Sequence, residues 1–480
     1  MEGKWGLAEV RKHTSQDSCW MVLHGKVYDV TSFLLRHPGG KNILLKNSGR
    51  DASAAFDSVH PIEIKILGEY LAPEQVLGEI DLSNTPEMSR PEDVKHDSRI
   101  RLDNKTSTRL LPLSHMLSVA EIESYAMQCL SPKAISYYVS ATDDELTKAA
   151  NSQIYRSILL RPRVFVDCTN CTLETTLLGS RVGLPIYISP AAMARLAHPS
   201  GEAGIASACS KFNALQIISK NASMSPSAIV SAGPQAIFAW QLYVLKDLAA
   251  TERTLAQIRK IPQIKFIVLT LDAPFPGKRE ADERFKMAEV AGGAPPQAWG
   301  TESRLTWRKT LEWLTKHTNL PIVLKGVQTH EDAFTATLFP AVKGIIISNH
   351  GGRALDTAPT PVQVLLEIRK LCPQVFGCLD VLIDGGIKRG TDVVKALALG
   401  AKGVGIGRAA LYGLAVGGQE GVERVLRILA DETTTTMKLL GVESPLGLTP
   451  RHINTTVLES KLLNGPNEFE EIKRELWSKL

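Results

Sequence analysis

The sequence predicts an α/β protein, a (β/α)8 barrel of the TIM type behind a small α+β module. Eight short apolar runs alternate with amphipathic segments: PIYIS (185–189), ALQIIS (214–219), AIFAWQ (236–241), KFIVLTLD (265–272), PIVLK (321–325), GIIISN (344–349), VLIDGG (381–386) and GVGIG (403–407). Runs this short and rich in Ile and Val read as core strands of a parallel sheet, and eight β-α units over roughly 300 residues fit a closed barrel. Polar residues collect where the runs stop: Ser219, Gln241, Thr270, Asp272, Lys325, Ser348, His350 and Asp384. That is the end at which such barrels bind ligands. Ahead of them, residues 1–80 carry short alternating runs broken by turn residues, as in a small mixed domain.

The chain has 480 residues, 44% hydrophobic and 22% charged, enough for two domains with a large core in one of them. Neither disorder nor a membrane span is expected. The net charge of +5 is spread without a long basic run, so no nucleic-acid or membrane partner is expected either. Seven cysteines, an odd number in a large chain, suit free thiols in a reducing compartment. Cys168 and Cys171 form a lone CxxC, read as two buried thiols because no second pair or nearby histidine completes a zinc site.

In the first module, MVLHGKVYDVTSF (21–33) predicts two strands around His24-Gly25. Residues 81–112, rich in Ser, Pro and charge, form a linker that either lets the small module move or packs along the larger one. The barrel domain is expected over 113–450, with a helix at about Ser118–Cys129 and a C-terminal tail over 451–480. Its central stretch is IIISNHGGRALD (345–356). An apolar run that stops at Ser348, Asn349, His350, two glycines and Arg353 delivers a candidate base, His350, and a candidate anion clamp, Arg353, at a strand end. A satisfied core histidine beside a glycine turn is the bland alternative.

The SNHGGR run (348–353) resembles the signature of the flavin-dependent 2-hydroxy-acid dehydrogenase and oxidase family. TLDAP (270–274), GKRE (277–280), LKGV (324–327), DGGIKRGTD (384–392) and GVGIGR (403–408) follow the same family's order. His-Pro-Gly-Gly at 37–40 and FDSVHP at 56–61 resemble the cytochrome b5 family, whose haem iron lies between two histidines; the matching positions are His37 and His60. Two imidazoles leave no open iron site, so this haem b would relay single electrons. With the haem module in front, the architecture resembles the flavocytochrome b2 family.

The resemblance implies FMN and a small 2-hydroxy-acid substrate. Gly385, Gly386, Lys388, Gly407 and Arg408 would hold the FMN phosphate, and Ser219, Gln241, Thr270, Ser348 and Asp384 would line the cofactor. Lys325 would sit at the N1 and O2 edge of the flavin, where positive charge favours the anionic reduced ring. Arg353 and Tyr137 would grip the substrate carboxylate, Arg279 would add charge, Tyr243 would bond the hydroxyl, and Asp272 would orient His350 as base. Whether His350 takes the alpha proton or the hydroxyl proton stays open; the product is a 2-oxo acid either way.

Four positions depart from the family pattern. Lys388 replaces the usual Arg and keeps the charge without the bidentate fork. Ala141 and Ala191 replace a glycine and a threonine. Asn221 replaces a large apolar residue in the substrate pocket and points to a larger or more polar substrate side chain. The segment EADERFKMAEVAGGAPPQAWGTESRL reads either as a mobile lid or as a passive surface loop. Electrons are expected to pass to the haem and on to a cytochrome c-like carrier or oxygen; the alternatives are an oxidase that reduces oxygen to hydrogen peroxide, and a non-catalytic haem carrier. A homotetramer is expected, since relatives of this barrel commonly assemble so. The chain ends Ser478-Lys479-Leu480, the peroxisomal tripeptide, with the cytoplasm as alternative address.

Overall fold

The computed structural model describes residues 3–37, 40–57, 71–81, 112–289, 301–463 and 469–478. They fall into two compact units divided between His115 and Met116. His60 and most of the linker lie outside the described residues, as do Pro38 and Gly39.

The first unit is a four-stranded sheet in the order Gly3–Gly6, Val76–Asp81, Lys26–Asp29, Trp20–Leu23. The last two strands form the expected hairpin. His24 and Gly25 join them at φ 51° and 80°, the pair of left-handed residues that a type I′ turn requires. Strand alternation then sorts the side chains. Met21, Leu23 and Tyr28 join Phe33 and Leu34 in one apolar cluster, against which Leu44, Leu45 and Phe56 pack, while Val22 and Val27 meet Trp5 and Trp20 on the other face.

In the second unit eight strands close a barrel in which every pair is parallel. They are β1 Ile186–Ile188, β2 Leu215–Ile218, β3 Ile237–Leu242, β4 Ile264–Thr270, β5 Ile322–Val327, β6 Val342–Ile347, β7 Asp380–Asp384 and β8 Gly403–Ile406. All eight coincide with the apolar runs. Tyr187, Leu215, Ile217, Ala239, Phe266, Val268, Val323, Ile346 and Leu382 form the core inside the ring, two residues apart where they share a strand. Most intervening positions are buried as well, under the helices outside, with Lys265 and Lys343 exposed near the strand starts, which is why the strands read as nearly continuous apolar runs.

A hairpin of Thr175–Leu177 and Ser180–Val182, turning at Leu178 and Gly179, closes the amino-terminal mouth. Its Leu177 and Val182 belong to the barrel core, and the Leu178 N–H donates to Asp380 at the start of β7. The opposite mouth is left for the site.

Three expectations need correction. The first part of the supposed lid, Glu280–Glu289, is a helix; it has no apolar stripe but is braced by Arg284–Glu280 and Lys286–Asp282 ion pairs at i,i+4 spacing. Residues 290–300 of that segment lie outside the described residues. The tail does not start as a separate piece, because Ile453–Asn454 pairs antiparallel with Leu159–Leu160. Cys168 and Cys171 are partly exposed on a surface turn instead of buried, and their thiols are free. Farther on, Phe469–Ser478 is helical, and Phe469 packs against Phe334 and His330.

Leu177→Ala should cost about 3 kcal/mol of stability through loss of apolar contact and the cavity left behind. Urea unfolding of the barrel measures it, and a loss under about 1 kcal/mol would mean that the hairpin is not part of the core.

Candidate active site

Strand alternation carries the barrel core upward into the site. The core positions lie two residues apart, and the next inward positions at the carboxyl ends are Ser189, Ser219, Gln241, Thr270, Lys325, Ser348 and Asp384. They bond to one another. Gln241 Nε2 donates to Thr270 Oγ1 at 3.1 Å and to the Tyr243 hydroxyl at 3.2 Å, while its Oε1 accepts from Ser219 Oγ at 3.1 Å and from the Lys220 N–H. Lys325 Nζ donates to Ser348 Oγ at 2.8 Å and lies 3.7 Å from Asp272 and 3.6 Å from Asp384, which accepts from Ser189 Oγ at 3.0 Å.

These charges stabilise one another. Burial disfavours the ammonium of Lys325, but Asp272 and Asp384 outweigh it and raise its pKa. Burial likewise works against ionised Asp272, and Lys325 and His350 overcome it, holding the carboxyl below its ordinary value.

His350 follows β6 in a left-handed conformation, φ 57°, continued by Gly351 at 67° and Gly352 at 77°. Three such residues in a row turn the chain sharply, and for a histidine the conformation is uncommon enough to mark a functional position. The turn is fixed from below. His350 N–H donates to Ser348 Oγ, and Asn349 exchanges two 2.8 Å hydrogen bonds with Asn151 while its Oδ1 also accepts from Gly352 N–H. Asp272 Oδ1 lies 2.8 Å from His350 Nδ1. With a carboxylate there, Nδ1 is the donor, so the lone pair of the neutral ring is on Nε2.

Beside His350 stand two guanidinium groups. Arg279 and Arg353 lie 5.2 Å and 5.1 Å from the ring centre of Tyr137, and Arg353 donates to the Tyr137 carbonyl at 2.7 Å. Arg279 pairs with Asp282 through Nη2 at 3.0 Å, but its Nη1 is buried without a hydrogen-bond partner among the described residues. Burial, reinforced by Arg279, brings Arg353 down to about 10. Both observations suit the binding of an anion.

A cavity of about 540 Å³ opens over these groups. Tyr137, Ser219, Asn221, Gln241, Tyr243, Arg279, Lys325, His350, Arg353 and Asp384 line it, and so do Gly385, Gly386, Lys388, Gly407 and Arg408, the last donating to the Gly351 carbonyl beside His350. Thr270, Asp272 and Ser348 stand one layer behind and hold the lining residues. The lining around Gly407 suits a phosphate. Gly407 precedes the helix that begins at Arg408, so backbone N–H groups and the helix dipole meet there with two cations. Gly386 has φ 80°, and a Cβ on it would lie 2.1 Å from the Asn151 carbonyl, so only glycine fits that turn. Lys388 departs from its simple expected role: its Nζ is ion-paired to Glu123 at 2.6 Å. In the first unit, His37 Nδ1 donates to the Gly40 carbonyl at 3.2 Å, which leaves the lone pair of the neutral ring on Nε2, as an iron ligand needs.

Several site residues escaped the sequence reading. Asn151 supports the His350 turn, Asp356 accepts from the N–H groups of Leu146 and Thr147 at the start of a helix, and Glu123 holds Lys388. None sits in a local pattern that announces the contact, although Asn349 and Asp356 stand inside the stretch 345–356.

Likeness to known proteins gives the class to which this barrel mouth belongs, the flavin-dependent oxidoreductases of 2-hydroxy acids. The chain belongs to the FMN-dependent dehydrogenase family, which matches residues 126–455, and its residues 6–81 match the cytochrome b5-like heme/steroid binding domain. It is 37% identical to the L-lactate dehydrogenase (cytochrome) of Saccharomyces cerevisiae, over 96% of this chain and 81% of that protein. The peroxisomal (S)-2-hydroxyacid oxidase of Arabidopsis thaliana is 38% identical over 72% of this chain and 98% of its own. Among solved structures, a double mutant of flavocytochrome b2 with pyruvate bound is 38% identical, with a TM-score of 0.69 over 76% of this chain and 92% of that one. FMN and haem are therefore the cofactors, and the cavity and its lining fit the first of them.

Asp272 has a folded pKa below its unfolded value, so the stability that it contributes is complete above about pH 4 and is lost as pH falls through the folded value. Asp272→Asn should therefore melt below wild type at pH 7, with the difference in Tm closing under pH 4. A pH-independent difference would show that the charge is not what matters.

Proposed function

We propose that the chain oxidises an (S)-2-hydroxy acid to the 2-oxo acid and passes the electrons to its own haem b. The observation that carries this reading is the meeting of the His350–Asp272 pair with the Arg279–Tyr137–Arg353 cluster in one cavity. Bound FMN supplies the acceptor for the electron pair. Arg353 and Tyr137 hold the substrate carboxylate, with Arg279 Nη1 adding a donor, and Tyr243 bonds the hydroxyl. This fixes the alpha carbon with respect to His350, whose Nε2 accepts the proton; Asp272 faces the resulting imidazolium at 2.8 Å and stabilises it. Lys325 keeps a positive charge at the floor of the cavity, where negative charge develops.

The substrate side chain meets Asn221, with Ala191 and Ala192 beside it in the lining. That wall is small and partly polar, and it supports a substrate larger or more polar than lactate. The likeness to an L-lactate dehydrogenase makes lactate the reference compound.

An oxidase is the second reading, favoured by the likeness of the barrel to a peroxisomal (S)-2-hydroxyacid oxidase. Anaerobic spectra separate the two. A panel of 2-hydroxy acids including lactate should bleach the flavin and then reduce the haem; flavin bleaching with oxidised haem would instead indicate the oxidase. His350→Ala should retain both cofactors and lose about 10²- to 10⁴-fold in the rate of flavin bleaching, and a loss under tenfold would remove His350 as the base.

The same relative supports the peroxisome as the compartment. A tagged copy should co-localise with a peroxisomal marker, and a purely cytosolic or mitochondrial location would defeat the assignment.

A further inference from the structure

The proposed phosphate site contains a carboxylate that the cofactor does not need. Glu123, on the helix Val119–Cys129, lines the cavity and pairs with Lys388 at 2.6 Å, and its charge also acts on half-buried Arg408. Glu145, also near Arg408, is tied to Lys148 and balanced by it. The charges left to meet a phosphate dianion are then Lys388 and Arg408, opposed by Glu123. With Glu123 ionised the cluster falls one positive charge short of the dianion; without it the charges balance.

We propose that Glu123 is a counter-ligand at the phosphate site: it competes with the FMN phosphate for Lys388 and lowers the affinity for the cofactor. Lys388 and Glu123 are 45% and 29% exposed at the side chain, so the pair can part at modest cost. Lysine suits such sharing, since its ammonium is a point charge with three donors on a flexible stem. The inference rests on the reading of Gly385 to Lys388 and Gly407 to Arg408 as the phosphate site, and the experiment tests the two separately.

The full-length chain, loaded with haem and stripped of flavin, is titrated with FMN and with riboflavin, which lacks the phosphate, and flavin fluorescence quenching is followed. Glu123→Gln should tighten FMN by roughly fivefold at low salt, less at high salt, and leave riboflavin unchanged. Riboflavin binding also checks that the variant is folded. An equal change for both flavins, no change for either, or weaker FMN binding would overturn the proposal. Lys388→Met should reduce the preference for FMN over riboflavin. If it does so while Glu123→Gln has no effect, the role of Glu123 falls alone; if the preference survives Lys388→Met, the phosphate-site reading falls with it.

Discussion

Alternation along a strand inside a closed barrel is the constraint on which the site depends. Every second residue of each strand must point inward, and in the lower layers only apolar side chains such as Tyr187, Ile217, Phe266, Val268 and Ile346 can fill that space. At the last inward position the ring opens. A polar residue there reaches the cavity without being sealed in, and the neighbouring strands supply partners for it. Ser219, Gln241 and Thr270 from β2, β3 and β4 satisfy one another, as do Lys325 and Ser348 from β5 and β6. A one-residue slip in any of these strands would turn its functional side chain toward the outer helices, so folding and site assembly are set by one register.

Charge imposes the second constraint. A lone lysine at the depth of Lys325 would lose its proton, and a lone aspartate at Asp272 would gain one. Each keeps the other ionised, with Asp384 sharing the load and Ser348 fixing the ammonium. The price is sensitivity: removing one member leaves an uncompensated charge in a dry site, which costs several kcal/mol more than losing an ordinary hydrogen bond. Asp272 serves both groups, binding His350 through Oδ1 and facing Lys325 with Oδ2. His350 and the Lys325 ammonium are therefore coupled through one carboxylate.

The strands were legible because parallel barrel strands are buried on both faces and so stand out as short runs of Ile, Val and Leu. The site was legible for the same reason, since a polar residue that ends such a run can point to little else than the barrel mouth. Long-range supports were not. Asp356 reaches a helix more than 200 residues earlier in the chain, and the Asn151–Asn349 exchange spans nearly as far, with no local signal for either. The Glu280–Glu289 helix was missed because hydrophobic periodicity was the criterion; its i,i+4 pairs of opposite charge were present in the sequence and would have indicated it. Glu123 was passed over for a similar reason, as a charged residue on a surface helix whose partner, Lys388, comes 265 residues later.

The two proposed anion sites of the cavity differ. At the proposed phosphate site Lys388 already has a carboxylate, so an anion there would exchange one anionic partner for another. At the proposed substrate site Arg353 is depressed by burial and by Arg279, and Arg279 Nη1 has no partner among the described residues. A carboxylate arriving there relieves two desolvated guanidinium groups at once, and an alcohol or an ester of the same shape relieves neither. Leaving a buried donor unmatched costs more than a matched hydrogen bond gains, so rejection of neutral analogues is stronger than the attraction of the acid alone would suggest. Selection for an acid is thus built into the resting charges of the pocket, while the proposed contact at Asn221 would act on the side chain that the acid carries.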